Sequence, residues 1–293
     1  MASRPGTNLF SPSIFTPSTS ITMGRIGIFD SGYGGLTILK AIREALPQYD
    51  YLYLGDNARA PYGTRSFDVV YEFTLQAVKA LFERGCELVI LACNTASAKA
   101  LRTIQQRDLP QLAPDKRVLG IIIPTVESLG TTSEGGNIAV LATEGTVSSG
   151  TYEIEIAKFF PTFRTVAVPC PMWVPLVENS EYDAPGADYF VKKYVEEVFT
   201  QEPDTDTIIL GCTHYPLLLP KIEQQVAGRA RIVTQGELVA SSLASYLERH
   251  PEMDARCSKE GTVEYLTTEN PEKFAAMAGV FMNTPLKARR IEL

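Results

Sequence analysis

The chain has 293 residues, 45% of them hydrophobic and 21% charged, the balance of a globular protein with room for about two domains and a substantial core. Its 27 basic and 34 acidic residues leave a formal charge of −7, so no electrostatic footprint for nucleic acid or an anionic membrane surface is present. Two histidines and five scattered cysteines without a C-x-x-C pair argue against a histidine-built metal site and for reduced thiols in the cytoplasm, and no apolar run approaches the roughly 20 residues that span a bilayer.

Residues 1–22 are rich in Ser, Thr and Pro, show no sustained apolar periodicity, and lack the long apolar segment of a signal peptide. They read as a disordered leader ahead of a second methionine, Met23. From Arg25 the rhythm becomes strand, turn, helix. A strand at Ile26–Phe29 runs into the turn Asp30-Ser31-Gly32-Tyr33-Gly34-Gly35, and a helix follows from Leu36 to Ala45, ended by Pro47. A second strand at Tyr51–Leu54 leads to the loop Gly55 to Gly63, and helical periodicity covers Phe67–Arg84. The apolar run Leu88–Ala92 then stops at Cys93, with Asn94 as the expected N-cap of a helix to Arg107.

A strand at Val118–Ile123 is expected to cross into a second set of units. That set comprises a strand at Ile138–Ala142, a helix at Val147–Phe160, a strand at Thr165–Val168 and an amphipathic helix at Ala187–Phe199. Another apolar run, Thr207–Gly211, ends at Cys212, and Pro216 suits the first turn of the next helix. Arg231–Thr234, a helix at Glu237–Glu248, a strand at Val263–Thr267, a helix at Pro271–Phe281 and a last strand near Arg290–Leu293 complete the chain. Strands alternating with helices predict an α/β protein with mostly parallel sheets. Such sheets bind ligands beyond the carboxyl ends of their strands, where Asp30, Tyr62, Cys93, Thr143, Glu178 and Cys212 fall.

The segments Leu88 to Ala96 and Thr207 to Tyr215 align without a gap, so that Cys93 falls on Cys212. One apolar strand ending in cysteine is more often a core feature, because a free thiol packs as a small hydrophobe. Two at equivalent places in a repeat, each before a helix, point instead to chemistry. The positive end of a helix favours thiolate, and the amides of residues 94–95 and 213–214 would form anion pockets. Two weak acids facing one crevice suit removal of a proton from one face of a carbon and its return to the other. Racemisation or epimerisation is that reaction. Asp30 could assist Cys93, while His214 and Glu178 could assist Cys212. Each has a plainer reading: Asp30 as a helix cap, His214 as a hydrogen-bonded loop residue, Glu178 as a solvated charge, Thr143 and Thr146 as caps. Cys86 and Cys257 are left as structural.

Five blocks in order carry a resemblance: Ile28 to Gly32 with Gly34 to Thr37, Gly55-Asp56-Asn57 through Pro61-Tyr62-Gly63, Ala92 to Ala96, Pro175 to Glu178, and Leu210 to Pro216. From about Ile26 to the final strand, the chain resembles the glutamate racemases of the cofactor-independent aspartate/glutamate racemase superfamily. The resemblance implies two pseudo-symmetric Rossmann-like (flavodoxin-like) domains with the active site in the cleft between them. The first would hold residues 23–118 and 236–293, the second 119–235. It implies Cys93 as the base for D-glutamate and Cys212 as the base for L-glutamate, assisted by Asp30, Glu178 and His214. Substrate contacts would come from Asp30, Ser31, Tyr62, Gly63, Asn94, Thr95, Thr143, Thr146, Thr213 and His214. It further implies no cofactor and no metal, a bacterial cytoplasmic role in peptidoglycan synthesis, a homodimer as one assembly, and a peptidoglycan-precursor activator as an allosteric ligand tied to the leader. An aspartate racemase and a non-catalytic binding protein on the same scaffold remain the alternatives.

Overall fold

The computed structural model describes residues 24–293; the leader expected at residues 1–22 lies outside them. Among the described residues ten strands form two sheets in which every neighbouring pair is parallel. They are β1 (Arg25–Asp30), β2 (Tyr51–Gly55), β3 (Cys86–Leu91), β4 (Arg117–Gly120), β5 (Asn137–Ala142), β6 (Arg164–Pro169), β7 (Thr207–Gly211), β8 (Arg231–Val233), β9 (Val263–Thr267) and β10 (Ala288–Arg290).

The first sheet has the order β10-β9-β2-β1-β3-β4, and the second β6-β5-β7-β8. The second order is that of the inner part of the first, β2-β1-β3-β4, with each strand replaced by its counterpart four places on. That repetition is the pseudo-symmetry the paired cysteine runs predicted. In both sheets the chain leaves a central strand to one side and returns on the other, so a switch point opens between β1 and β3 and again between β5 and β7. Crevices for ligands form at the carboxyl ends of strands at such points.

The central strands are continuous apolar runs because helices cover both of their faces. All five residues of β2 and of β7 are buried. One apolar cluster contains Ile26 and Ile28 of β1, Ala139 and Leu141 of β5, and Ile208 and Leu210 of β7, so the two sheets share a core. The helices Gly35–Ala45 and Gly236–Arg249 pack on one another across this region. No described helix is long and apolar enough to cross a membrane.

Several boundaries differ from expectation, among them the helix expected at Val147–Phe160, which is two, Glu144–Ser148 and Thr151–Phe159, separated at Gly150 with its positive φ of 63°. The strand expected at Val118–Ile123 ends at Gly120 and pairs with β3 at the edge of the first sheet, so it does not open the second set. Its apolar continuation is the helix Ile122–Glu127, with Pro124 in the first turn, where a missing N–H removes no intrahelical bond. The helical run after Cys93 passes Arg107 and continues to Leu112. The last strand is Ala288–Arg290 rather than Arg290–Leu293.

Candidate active site

β1 ends at Asp30, β3 stops two residues before Cys93, β5 one residue before Thr143, and β7 one residue before Cys212. The four carboxyl ends converge on one cavity of about 130 Å³, smaller than the roughly 300–1,000 Å³ of drug-sized pockets. Its size suits an amino acid. The wall includes Asp30, Ser31, Tyr62, Gly63, Cys93, Asn94, Thr95, Thr143, Glu178, Cys212, Thr213 and His214. Thr146 alone among the anticipated residues is not on the wall; it stands behind it, buried and bonded to Thr95 and Thr143. Cys170, Pro171, Val174 and Pro175, which follow β6, complete one side and were not anticipated as site residues. For Cys170, Pro171 and Val174 the one sequence signal was proximity to a strand end; Pro175 also opens the block Pro175 to Glu178.

Cys93, not Asn94, is the N-cap of its helix. Its backbone is extended, and Sγ accepts from the Ala96 amide at 3.4 Å. The Ser31 hydroxyl lies 3.4 Å from the same sulfur. Burial pushes the Cys93 thiol up to about 12, and the nearby Asp30 charge adds to the shift. The hydrogen bonds from Ser31 and Ala96 oppose it without winning. The expected lowering by a helix terminus is therefore reversed at Cys93, because desolvation of a thiolate outweighs a one-turn dipole effect.

Cys212 has a different neighbour. Its Sγ is 3.8 Å from His214 Nδ1, and His214 Nε2 is 3.0 Å from Glu178 Oε1. Burial pulls the imidazole down, but hydrogen bonds to Cys212 and Glu178 and their charges outweigh it and hold His214 well above its ordinary value. Gly34 makes this arrangement sterically feasible, since a Cβ there would stand 2.4 Å from Thr213 Oγ1 and 2.5 Å from His214 Nδ1.

Asp30 is buried, and its Oδ2 accepts from the Gly32 amide at 2.9 Å while Oδ1 has no hydrogen-bond partner among the described residues. Burial raises its carboxyl above the usual range, against the pull of His214 and of the Gly35 and Gly32 amides; Glu178 pushes the same way as burial. An unpartnered buried carboxylate oxygen on a cavity wall is a receptor for a donor such as an ammonium group. Across the cleft, Thr95, Thr143 and Thr146 share hydroxyl contacts of 3.0, 3.2 and 3.1 Å. The Gly145 amide donates to the Gly63 carbonyl at 2.7 Å. Behind Tyr62, the buried Asp56 accepts from the Tyr62 hydroxyl and, at 2.6 Å, from Arg59 Nε.

Two parallel sheets that repeat one strand order, each bringing a thiol to a shared amino-acid-sized cavity, define an α/β amino-acid racemase. The chain belongs to the Asp/Glu/Hydantoin racemase family, whose model matches residues 34–242. A glutamate racemase from Dinoroseobacter shibae is 39% identical over 282 residues, covering 91% of this chain and 98% of its own. The crystal structure of a glutamate racemase from Bacillus anthracis superposes with a TM-score of 0.84 at 29% identity, over 93% of this chain and 98% of that one. A glutamate racemase from Francisella tularensis, solved in complex with D-glutamate, gives 0.81 at 28% identity, over 93% and 97% of the two chains.

Proposed function

We propose that the protein interconverts L- and D-glutamate by a two-base proton transfer between Cys93 and Cys212. The observation that carries this reading is the arrival of both thiols, from the repeated strands β3 and β7, on one small cavity. In the D-to-L direction Cys93, as thiolate, takes the α-proton of D-glutamate, and the Cys212 thiol gives a proton to the opposite face. L-to-D conversion reverses the two roles. The pair thus carries one ionisable proton between them, and each turnover leaves it on the other sulfur.

The electrostatics differ on the two sides. With Cys93 held at about 12, forming its thiolate at pH 7 in the empty site would cost about 7 kcal/mol, at 1.36 kcal/mol per pKa unit. A substrate ammonium beside Asp30 and the sulfur would offset much of that. On the other side an imidazolium at His214, backed by Glu178, supplies the countercharge for a thiolate at Cys212. Ser31, Tyr62, Gly63, Asn94, Thr95, Thr143 and Thr213 would hold the amino and carboxyl groups, with Thr146 bracing Thr95 and Thr143. The first-turn amides of Asn94 and Thr95 lack intrahelical acceptors and suit a carboxylate. The D-glutamate made would serve peptidoglycan synthesis in a bacterial cytoplasm, a placement supported by bacterial relatives and by five cysteines that are all free.

Incubating the pure protein with D-glutamate in deuterium oxide, without added cofactor, tests the proposal. Optical rotation should decay toward zero while the α-proton signal is lost. If neither exchange nor L-glutamate appears, the protein is a binding protein on a racemase scaffold. Faster turnover of aspartate in a parallel tube would assign it to the sister reaction.

A further inference from the structure

Gln235 lies between β8 and the helix Gly236–Arg249, is buried, and is absent from the cavity wall. It nonetheless reaches Asn94, the residue directly after Cys93. The hydrogen-bond directions can be worked out from one end. The Thr125 hydroxyl donates to the Ile121 carbonyl at 2.7 Å, so its oxygen is left to accept from Gln235 Nε2 at 2.9 Å. The amide nitrogen of Gln235 therefore faces Thr125, and its other proton goes to the Tyr152 hydroxyl oxygen at 3.0 Å, with Asn94 Oδ1 at 3.2 Å and the Ile121 carbonyl at 3.4 Å as longer acceptors of the same group. Tyr152 in turn donates to Asn94 Oδ1 at 2.8 Å. The ring closes where Asn94 Nδ2 donates to Gln235 Oε1 at 2.6 Å.

This ring leaves Asn94 no choice of orientation. Its acceptor oxygen is used by Tyr152 and one amide proton by Gln235, so what it can offer a ligand is its second Nδ2 proton. A flipped amide would set Oδ1 against Gln235 Oε1, a buried repulsion between two acceptors. Thr125 and Gln235 also sit on the two chain segments that pass between the sheets, after β4 and after β8. We infer that Gln235 is a positioning residue that fixes Asn94 as a hydrogen-bond donor toward the substrate and ties that donor to the crossings between the two sheets. The inference rests on the racemase reading above and names a residue through which that site is set.

The test is a double-mutant cycle on kcat/KM for glutamate with Gln235→Leu and Asn94→Ala. Displacing Asn94 should lower kcat/KM on the order of 100-fold in Gln235→Leu. In the Asn94→Ala background the same change should alter kcat/KM less than about twofold, because its effect passes through a side chain that is already gone. Equal factors in both backgrounds would overturn the inference, since a general loss of packing acts regardless of Asn94. Gln235→Glu keeps an acceptor for Asn94 but has no proton for Thr125 or Tyr152, so the Tyr152 hydroxyl would donate to the new carboxylate and leave Asn94 Oδ1; kcat/KM should fall here too, and wild-type activity would also overturn the inference. Proton exchange at the Asn94 side-chain amide, read by NMR on the unaltered protein without substrate, needs neither a folded variant nor turnover. One slowly exchanging Nδ2 proton is expected, and rapid exchange of both would refute the clamp. Absence of glutamate turnover by the unaltered protein would sink the racemase reading and leave the clamp to be decided by that amide.

Discussion

Cys93 and Cys212 occupy equivalent places after β3 and β7, yet their surroundings differ: a hydroxyl, an amide and a carboxyl at one, an imidazole at the other. Inversion needs both faces served, so Cys93→Ser and Cys212→Ser should each lower racemisation by on the order of 10²–10⁴-fold, the usual contribution of one general acid or base. The two should be separable by proton NMR in deuterium oxide. Cys93→Ser should still exchange the α-proton of L-glutamate, and Cys212→Ser that of D-glutamate; full racemisation by either variant would remove the two-base mechanism. His214 gives a second residue-scale expectation. Because its folded pKa is raised, its ring should remain imidazolium at pH 7, as read from its ring nitrogen shifts. A titration midpoint at or below the ordinary 6.5 would contradict the Cys212–His214–Glu178 chain. The sign for stability is the same: this group's contribution is complete below the unfolded pKa and is lost as pH rises through the folded one.

The elements around the cavity meet at few points, and one of them is Gly145 in the helix Glu144–Ser148. A Cβ there would stand 2.7 Å from the Gly63 carbonyl oxygen and 3.1 Å from Lys99 Nζ. Overpacking of this kind costs about 1–3 kcal/mol. Gly145→Ala should therefore push the Tyr62-Gly63 loop away from Thr143 and raise the KM for glutamate by about tenfold, equivalent to about 1.4 kcal/mol. A fall in kcat with KM unchanged would show that the loop does not bear on substrate binding. At this scale the sequence was informative where burial is continuous. The runs ending at Cys93 and Cys212 announced both strands and the repeat, because a strand covered on both faces must be apolar throughout. The run Val118–Ile123 misled for the same reason, since an apolar stretch does not say where a strand yields to a helix. Gln235 was invisible because its partner Asn94 is 141 residues away in the chain. The thiol pKa of Cys93 was misjudged because depth of burial belongs to the assembled sheets and not to the local cap.

Taken whole, the molecule couples ionisation to folding at both ends of the pH scale. On the acid side burial pushes Asp50 and Asp206 up, but hydrogen bonds outweigh it and hold both carboxyls below their ordinary value. Asp50 accepts from the Thr262 amide and hydroxyl at 2.8 and 2.6 Å, joining the start of β2 to the approach of β9. Asp206 accepts from the Ser133 hydroxyl at 2.6 Å and the Asn137 amide at 2.9 Å, joining the starts of β7 and β5. Their stabilisation is present above the unfolded carboxyl pKa and is lost as pH falls through the folded one. On the alkaline side the sign reverses. Burial holds the thiols of Cys86, Cys93 and Cys257 at about 12, against 9.0 for an ordinary thiol, and raises that of Cys170 well above the same value. The unfolded chain therefore gives up these protons first, and stability that is complete below pH 9 declines as pH rises toward 12. At pH 10, one unit above the unfolded value, each of the four thiols should contribute about 1.4 kcal/mol less, or about 6 kcal/mol together. Urea unfolding at pH 8, 9 and 10, kept reduced, should show at least that loss, chiefly between pH 9 and 10, with the buried tyrosines, whose ordinary value is 10.0, adding to it as pH 10 is reached. An unfolding free energy unchanged from pH 8 to 10 would mean that these sulfurs ionise as readily in the fold as out of it, and the desolvation assigned to Cys93 would fall with it.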